Sequence, residues 1–75
     1  MSDKLPVISG QACVRALQAA GFAVERQKGS HITLRRIESP HLMVVVPDHD
    51  ELDRGTLRAI IHQAGLTPQS FKTYL

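Results

Sequence analysis

The side chains of this 75-residue chain best suited to moving protons or attacking a bond are four histidines, His31, His41, His49 and His62, and the lone cysteine, Cys13. Imidazole carries protons well near neutrality, with an unperturbed pKa of about 6.5. His31 has the most informative surroundings. It follows Gln27-Lys28-Gly29-Ser30 and opens a run of alternating polarity, Ile32-Thr33-Leu34-Arg35. Glycine permits a positive φ, so Lys28-Gly29 reads as a tight reversal between two strands. On the second strand Ile32 and Leu34 share one face, and His31, Thr33 and Arg35 share the other. The imidazole is thereby held outward on a rigid element, with Arg26, Lys28, Arg35 and Arg36 crowded around it.

An imidazole among cations suits chemistry on a polyanion, and RNA cleavage needs little more. A base takes the proton of a 2′-hydroxyl, that oxygen attacks the adjacent phosphorus, and an acid protonates the leaving 5′-oxygen. Cations stabilise the charge that gathers on the phosphorus. His31 with Lys28 or Arg35 supplies the minimum set. A second acid/base group is needed, and His49, His41 or a water are open candidates. Other chemistries fit less well. No two histidines have metal-ligand spacing, no cysteine cluster accompanies them, and Asp48, His49 and Asp50 sit too close together in one loop to converge. No metal or other cofactor is expected. Ser30 and His31, as strand neighbours, point to opposite faces and make no nucleophile–base pair. Cys13 lies in an apolar helical stripe and reads as a small buried hydrophobe.

The elements that must position these groups follow from spacing. Residues 1–8 form a lead-in from which Val7 and Ile8 dock on the domain. Ser9 is a good N-cap, and Ala12, Cys13, Ala16, Leu17 and Ala20 form one helical stripe that ends at Gly21. Phe22 to Gln27 reads as a strand, with Phe22, Val24 and Arg26 on one face and Ala23, Glu25 and Gln27 on the other. Ser30 to Ile37 is a second strand, Glu38-Ser39-Pro40 a turn, and His41 to Val46 a third strand that Pro47 ends. Asp48 to Arg54 is a polar loop anchored by Leu52. A second helix runs from about Asp53 or Thr56 to Ala64, with Leu57, Ile60, Ile61 and Ala64 on its apolar face. Gly65 closes it, Thr67-Pro68 starts a last helical turn, and Phe71, Tyr74 and Leu75 pack that piece back. The fold class is α+β: one domain over residues 1–75, a two-layer sandwich of the double-stranded-RNA-binding-domain type. On the second helix Arg54, Arg58 and His62 recur every four residues, near an N-terminus where Gly55-Thr56 offers backbone and hydroxyl to a phosphate. Lys28, Arg35, Arg54, Thr56 and Arg58 are therefore the expected phosphate contacts.

Composition narrows the classes further. At 43% hydrophobic the chain is not a disordered tail. One Tyr, two Phe and no Trp leave an aliphatic core and no platform for stacking single-stranded bases. The net charge of +2 permits a nucleic-acid partner without establishing one. A single cysteine, no apolar run of membrane-spanning length and no signal-peptide apolar region point to a reducing, cytoplasmic setting without a membrane partner. A non-catalytic RNA-binding module of the same fold, or an adaptor for an acidic protein, would share these features.

Several stretches together resemble a known family, the HicA (YcfA-like) toxins of bacterial type II toxin–antitoxin systems. They are Ser9-Gly10 opening a helix, Ala20-Gly21-Phe22, Arg26-Gln27-Lys28-Gly29-Ser30-His31, Val46-Pro47, His49, Glu51-Leu52, and Gly55-Thr56-Leu57-Arg58 through Gln63-Ala64-Gly65-Leu66. The likeness spans about residues 7 to 72. It implies a metal-independent endoribonuclease acting on mRNA, with His31 catalytic. It also implies a HicB-type antitoxin partner that covers the active site. The chain departs from many members at Ile32, where they carry a polar residue or a further histidine, and at Ala12, where they carry an acidic one.

Overall fold

The computed structural model describes residues 4–75, so the first three residues of the expected lead-in lie outside the described residues. The element order is α1 (Gly10–Ala19), β1 (Phe22–Lys28), β2 (His31–Arg36), β3 (Met43–Pro47), α2 (Arg54–Gln63) and α3 (Pro68–Lys72). This is the α-β-β-β-α order, with a helical tail, that the spacing predicts.

Ser9 caps α1 in extended conformation, its hydroxyl accepting from Ala12 N at 3.0 Å. The helix buries Gly10, Cys13, Val14, Ala16 and Leu17. The stripe is rotated from the expected one: Val14 is inside, whereas Ala12 and Ala20 are only half-buried. Gly10 is needed because a Cβ there would lie 2.1 Å from the backbone oxygen of Pro47. Its own N–H donates to His49 O at 2.8 Å, so α1 begins directly against the end of β3.

The strands pair antiparallel in the order β1-β2-β3. Leu34 opposes Val44 and Ile32 opposes Val46, and all four are buried beneath the helices. The β1–β2 reversal is a two-residue turn, Gly29-Ser30. Gly29 has φ +59° while Ser30, like every other described non-glycine residue, has negative φ. Glycine with positive φ at the first turn position is the type II′ pattern, whose twist matches the strands. Lys28 therefore belongs to β1 and pairs with His31, and Ser30 belongs to the turn, not to the second strand. Two other strand limits move inward. β2 stops at Arg36, leaving Ile37 exposed, and β3 starts at Met43, not at His41. Pro47 is the last residue of β3 and pairs with His31, which an edge strand tolerates.

The largest departure is a bulge in β1. Val24 opposes Leu34 and Arg26 opposes Thr33, so Glu25 is an extra residue. Alternation past it is inverted. Arg26 and Lys28 fall on the face of Thr33 and His31, and Gln27 falls on the face of Ile32. The expected grouping of Arg26 with Phe22 and Val24 is thus wrong, because it assumed an unbroken pleat.

The core joins Leu5, Leu17, Phe22, Leu34, Leu57, Ile61 and Phe71 to the inner sheet face. Leu5, 1% exposed, anchors the lead-in, whereas Val7 is 58% exposed and Ile8 packs only partly. Asp53 caps α2, settling its start at Arg54. Thr67 and Ser70 form a reciprocal capping box at α3, which holds Phe71 fully buried. Tyr74 and Leu75 do not pack back as expected and remain exposed.

Candidate active site

With the helices on one face of the sheet, its other face is open, and the strand register arranges that face in rows. Lys28, His31 and Pro47 lie side by side at the hairpin end. Arg26, Thr33 and Val45 form the next row, and Ala23, Arg35 and Met43 the third. Arg26, Lys28, His31, Thr33 and Val45 line a shallow hollow of about 570 Å³. That volume is in the range of about 300–1,000 Å³ typical of ligand sites. The open shape suits a stretch of polymer better than an enclosed small molecule. Thr33, only 8% exposed, forms the floor. His31 is exposed and stands on the central strand, where neighbours on both sides fix its backbone.

The electrostatics of the hollow are one-sided. Among the described residues neither Arg26 nor Lys28 forms an ion pair with a carboxylate. Arg35 is held differently: its Nε donates to Glu25 Oε2 at 2.6 Å, and its Nη2 lies 3.5 Å from the sulfur of Met43. That hydrogen bond holds the Glu25 carboxyl below its ordinary range and pushes the guanidinium of Arg35 up. Glu25, the bulge residue, thus bonds to Arg35, while the charge of Arg26 acts on its carboxyl only through space.

The other sequence candidates lie elsewhere. His49 is exposed in the loop after β3, with its N–H donating to Pro47 O at 2.9 Å and its carbonyl accepting from Gly10 N. Its backbone is therefore fixed two residues beyond the strand partner of His31, although its ring is not part of the hollow's lining. His41 Nδ1 donates to Arg36 O at 3.1 Å, at the far end of β2. Arg54, Arg58 and His62 are exposed on α2, in the helical layer across the sheet from the hollow. Thr56 is already engaged: its N–H donates to Asp53 Oδ1 at 2.8 Å and its hydroxyl to Oδ2 at 2.9 Å. Asp53 so occupies the place a phosphate would take at this helix start. The bond from the Thr56 N–H, helped by its hydroxyl, keeps the Asp53 carboxyl below its ordinary range. Burial pushes the Cys13 thiol up to about 12, so it is no nucleophile. Among the described residues no three His, Cys, Asp or Glu side chains gather as a metal site.

Two features, one in the hollow and one beside it, were not expected from the sequence. One is the bulge that turns Arg26 and Lys28 toward His31. The other is Asp48, which follows Pro47. Its N–H donates to Ser30 O at 2.7 Å, and its carboxylate accepts from Gln11 at 3.0 Å and Gln27 at 3.3 Å. Its place directly after the strand-ending Pro47 was the only available signal.

Compared with known proteins, the chain matches the sequence model of a family described as HicA toxin of bacterial toxin-antitoxin over residues 10–66. The match runs from the first residue of α1 to Leu66, just past α2, and contains every residue of the hollow. No curated protein matches the chain.

Proposed function

The chain belongs to the HicA toxin family of bacterial toxin–antitoxin systems, and on that premise we propose that it is a metal-independent endoribonuclease of the cytoplasm. It cleaves mRNA, arrests translation and growth, and is neutralised by a HicB-type antitoxin seated over the hollow. The observation that carries this reading is the exposed imidazole of His31 on the central strand, in one hollow with Arg26 and Lys28, neither of which is held in an ion pair among the described residues.

The reaction is an in-line transesterification. One general base removes the 2′-hydroxyl proton, the freed oxygen bonds to phosphorus, and the bond to the 5′-oxygen breaks. That oxygen takes a proton from a general acid, leaving a 2′,3′-cyclic phosphate and a 5′-hydroxyl. His31 fills one of these roles. His49 is the proposed second group, on a loop whose backbone is tied to the end of β3. Lys28 and Arg26 stabilise the negative charge on the phosphoryl oxygens. Arg35 joins them by exchanging Glu25 for a phosphate. Arg54 and Arg58 bind RNA backbone beyond the cleavage point, and Thr56 contributes only where a phosphate displaces Asp53. An open, basic, non-aromatic surface favours backbone contacts over base stacking.

Expression in bacteria tests the proposal. Wild-type protein should stop growth and fragment mRNA, His31→Ala should do neither, and an antitoxin supplied together with the toxin should restore growth. Intact mRNA and normal growth with the wild type would contradict the enzymatic reading. Salt-sensitive RNA binding without new RNA ends would instead identify a binding module.

A further inference from the structure

The hairpin that carries Lys28 and His31 ends in an exposed two-residue turn, Gly29-Ser30, at the tip of its ladder. Asp48 meets this tip with both its backbone and its side chain. Its N–H donates to Ser30 O at 2.7 Å. Its Oδ2 accepts at 3.3 Å from Gln27 Nε2, which also donates to Gly29 O at 3.2 Å. Its Oδ1 accepts at 3.0 Å from Gln11 in the first turn of α1. One residue thus joins β1 and α1 through its carboxylate and the turn through its N–H. The bulge makes this possible, since it moves Gln27 to the face of Ile32, the side on which the helices lie. Without it the Gln27 amide would share the open face with the hollow.

We infer that Asp48 is a positioning residue: it clamps the hairpin tip to the start of α1 and so fixes His31 and Lys28 relative to the rest of the hollow. The carboxylate touches neither of these side chains and acts through Gln27 and the turn. The inference rests on the reading of His31 as the acid/base group. A displacement of about 1 Å at a reacting group can cost as much as roughly 100-fold in rate, so a clamp at the end of a ladder has a kinetic consequence beyond its share of stability.

The test compares wild type, Asp48→Ala, Asp48→Asn and Gln27→Ala, with Thr67→Ala as a control that weakens the α3 cap far from the hollow. Two readouts are taken: single-turnover cleavage of a saturating RNA, and amide hydrogen exchange across residues 28–31. The expected result is a rate lower by roughly 10- to 100-fold in Asp48→Ala and Gln27→Ala, with faster exchange at the tip. Asp48→Asn keeps one acceptor oxygen and should recover part of both. Thr67→Ala should lose stability without losing rate. Wild-type cleavage by Asp48→Ala, or a slower rate with unchanged exchange, overturns the inference. Were the wild type itself inactive on RNA, the functional reading would fall, and the exchange comparison alone would decide whether Asp48 fixes the tip. If Asp48→Ala fails to fold, the Asp48→Asn and Gln27→Ala pair decides by the same criteria.

Discussion

At the scale of single residues, the groups proposed to act on RNA are distinct from those that hold the fold. His31→Ala should lower cleavage by about 10²- to 10⁴-fold while leaving the melting temperature nearly unchanged, because the side chain is exposed and its strand pairing uses only backbone. Arg26→Ala and Lys28→Ala should weaken RNA binding, each flattening its dependence on salt by about one counterion. Titrating binding at several salt concentrations checks this. Acid sensitivity belongs to two other residues. Glu25 is held below the ordinary carboxylate range by Arg35, and Asp53 by the N–H of Thr56. A folded-state pKa that is depressed adds stability that is full above the unfolded value, about 4 for a carboxyl group, and is lost as pH falls through the folded value. Urea unfolding at a series of pH values should therefore show stability falling below about pH 4, and less steeply in Glu25→Gln and Asp53→Asn. Cys13 should resist alkylation in the native protein and react on unfolding, since burial removes both access and thiolate.

At the scale of elements, much was legible and the failures have physical causes. The helices were readable from their caps and apolar faces, as with Ser9 before α1 and Leu57, Ile60, Ile61 and Ala64 on α2. The hairpin, and the outward direction of His31, were readable from Gly29 and the alternation after it. The bulge was not. Beyond Val24 the residues of β1 are Glu25, Arg26, Gln27 and Lys28, all exposed. With no apolar residue among them, no hydrophobic pattern could register the inversion of faces. This one-residue insertion places Arg26 and Lys28 on the face of the imidazole and Gln27 on the opposite one. The α1 stripe was misjudged because small alanines at 12 and 20 read as apolar as Val14, and only packing against the sheet separates them. The contact of α1 with β3 gives an element-scale prediction. Gly10→Ala must push the helix away from the Pro47 carbonyl. It should cost about 1–3 kcal/mol as overpacking does, measured by denaturant unfolding, and should also loosen the Asp48 clamp.

At the scale of the molecule, two layers divide the labour. The helices α1 and α2 cover one sheet face and leave the other bare, with α3 packed against α2, so the core and the hollow share all three strands but no side-chain face. The core is thin for a chain this short, which leaves little stability in reserve. Phe71 lies beyond the stretch matched by the family, yet it is fully buried. Phe71→Ala should cost about 3–5 kcal/mol, seen as a large fall in melting temperature, and should remove toxicity through loss of the fold and not of the chemistry. The sequence could assign Arg54, Arg58 and Thr56 to an RNA surface but not show that α2 lies across the sheet from His31, because helix phase says nothing of layer. The central claim, that the hollow cleaves RNA through His31, is tested most directly by incubating purified protein with a defined mRNA in EDTA and mapping the ends produced. The account predicts 2′,3′-cyclic phosphate and 5′-hydroxyl ends with the wild type and none with His31→Ala. Equal cleavage by the two proteins, or intact RNA with both, would contradict it.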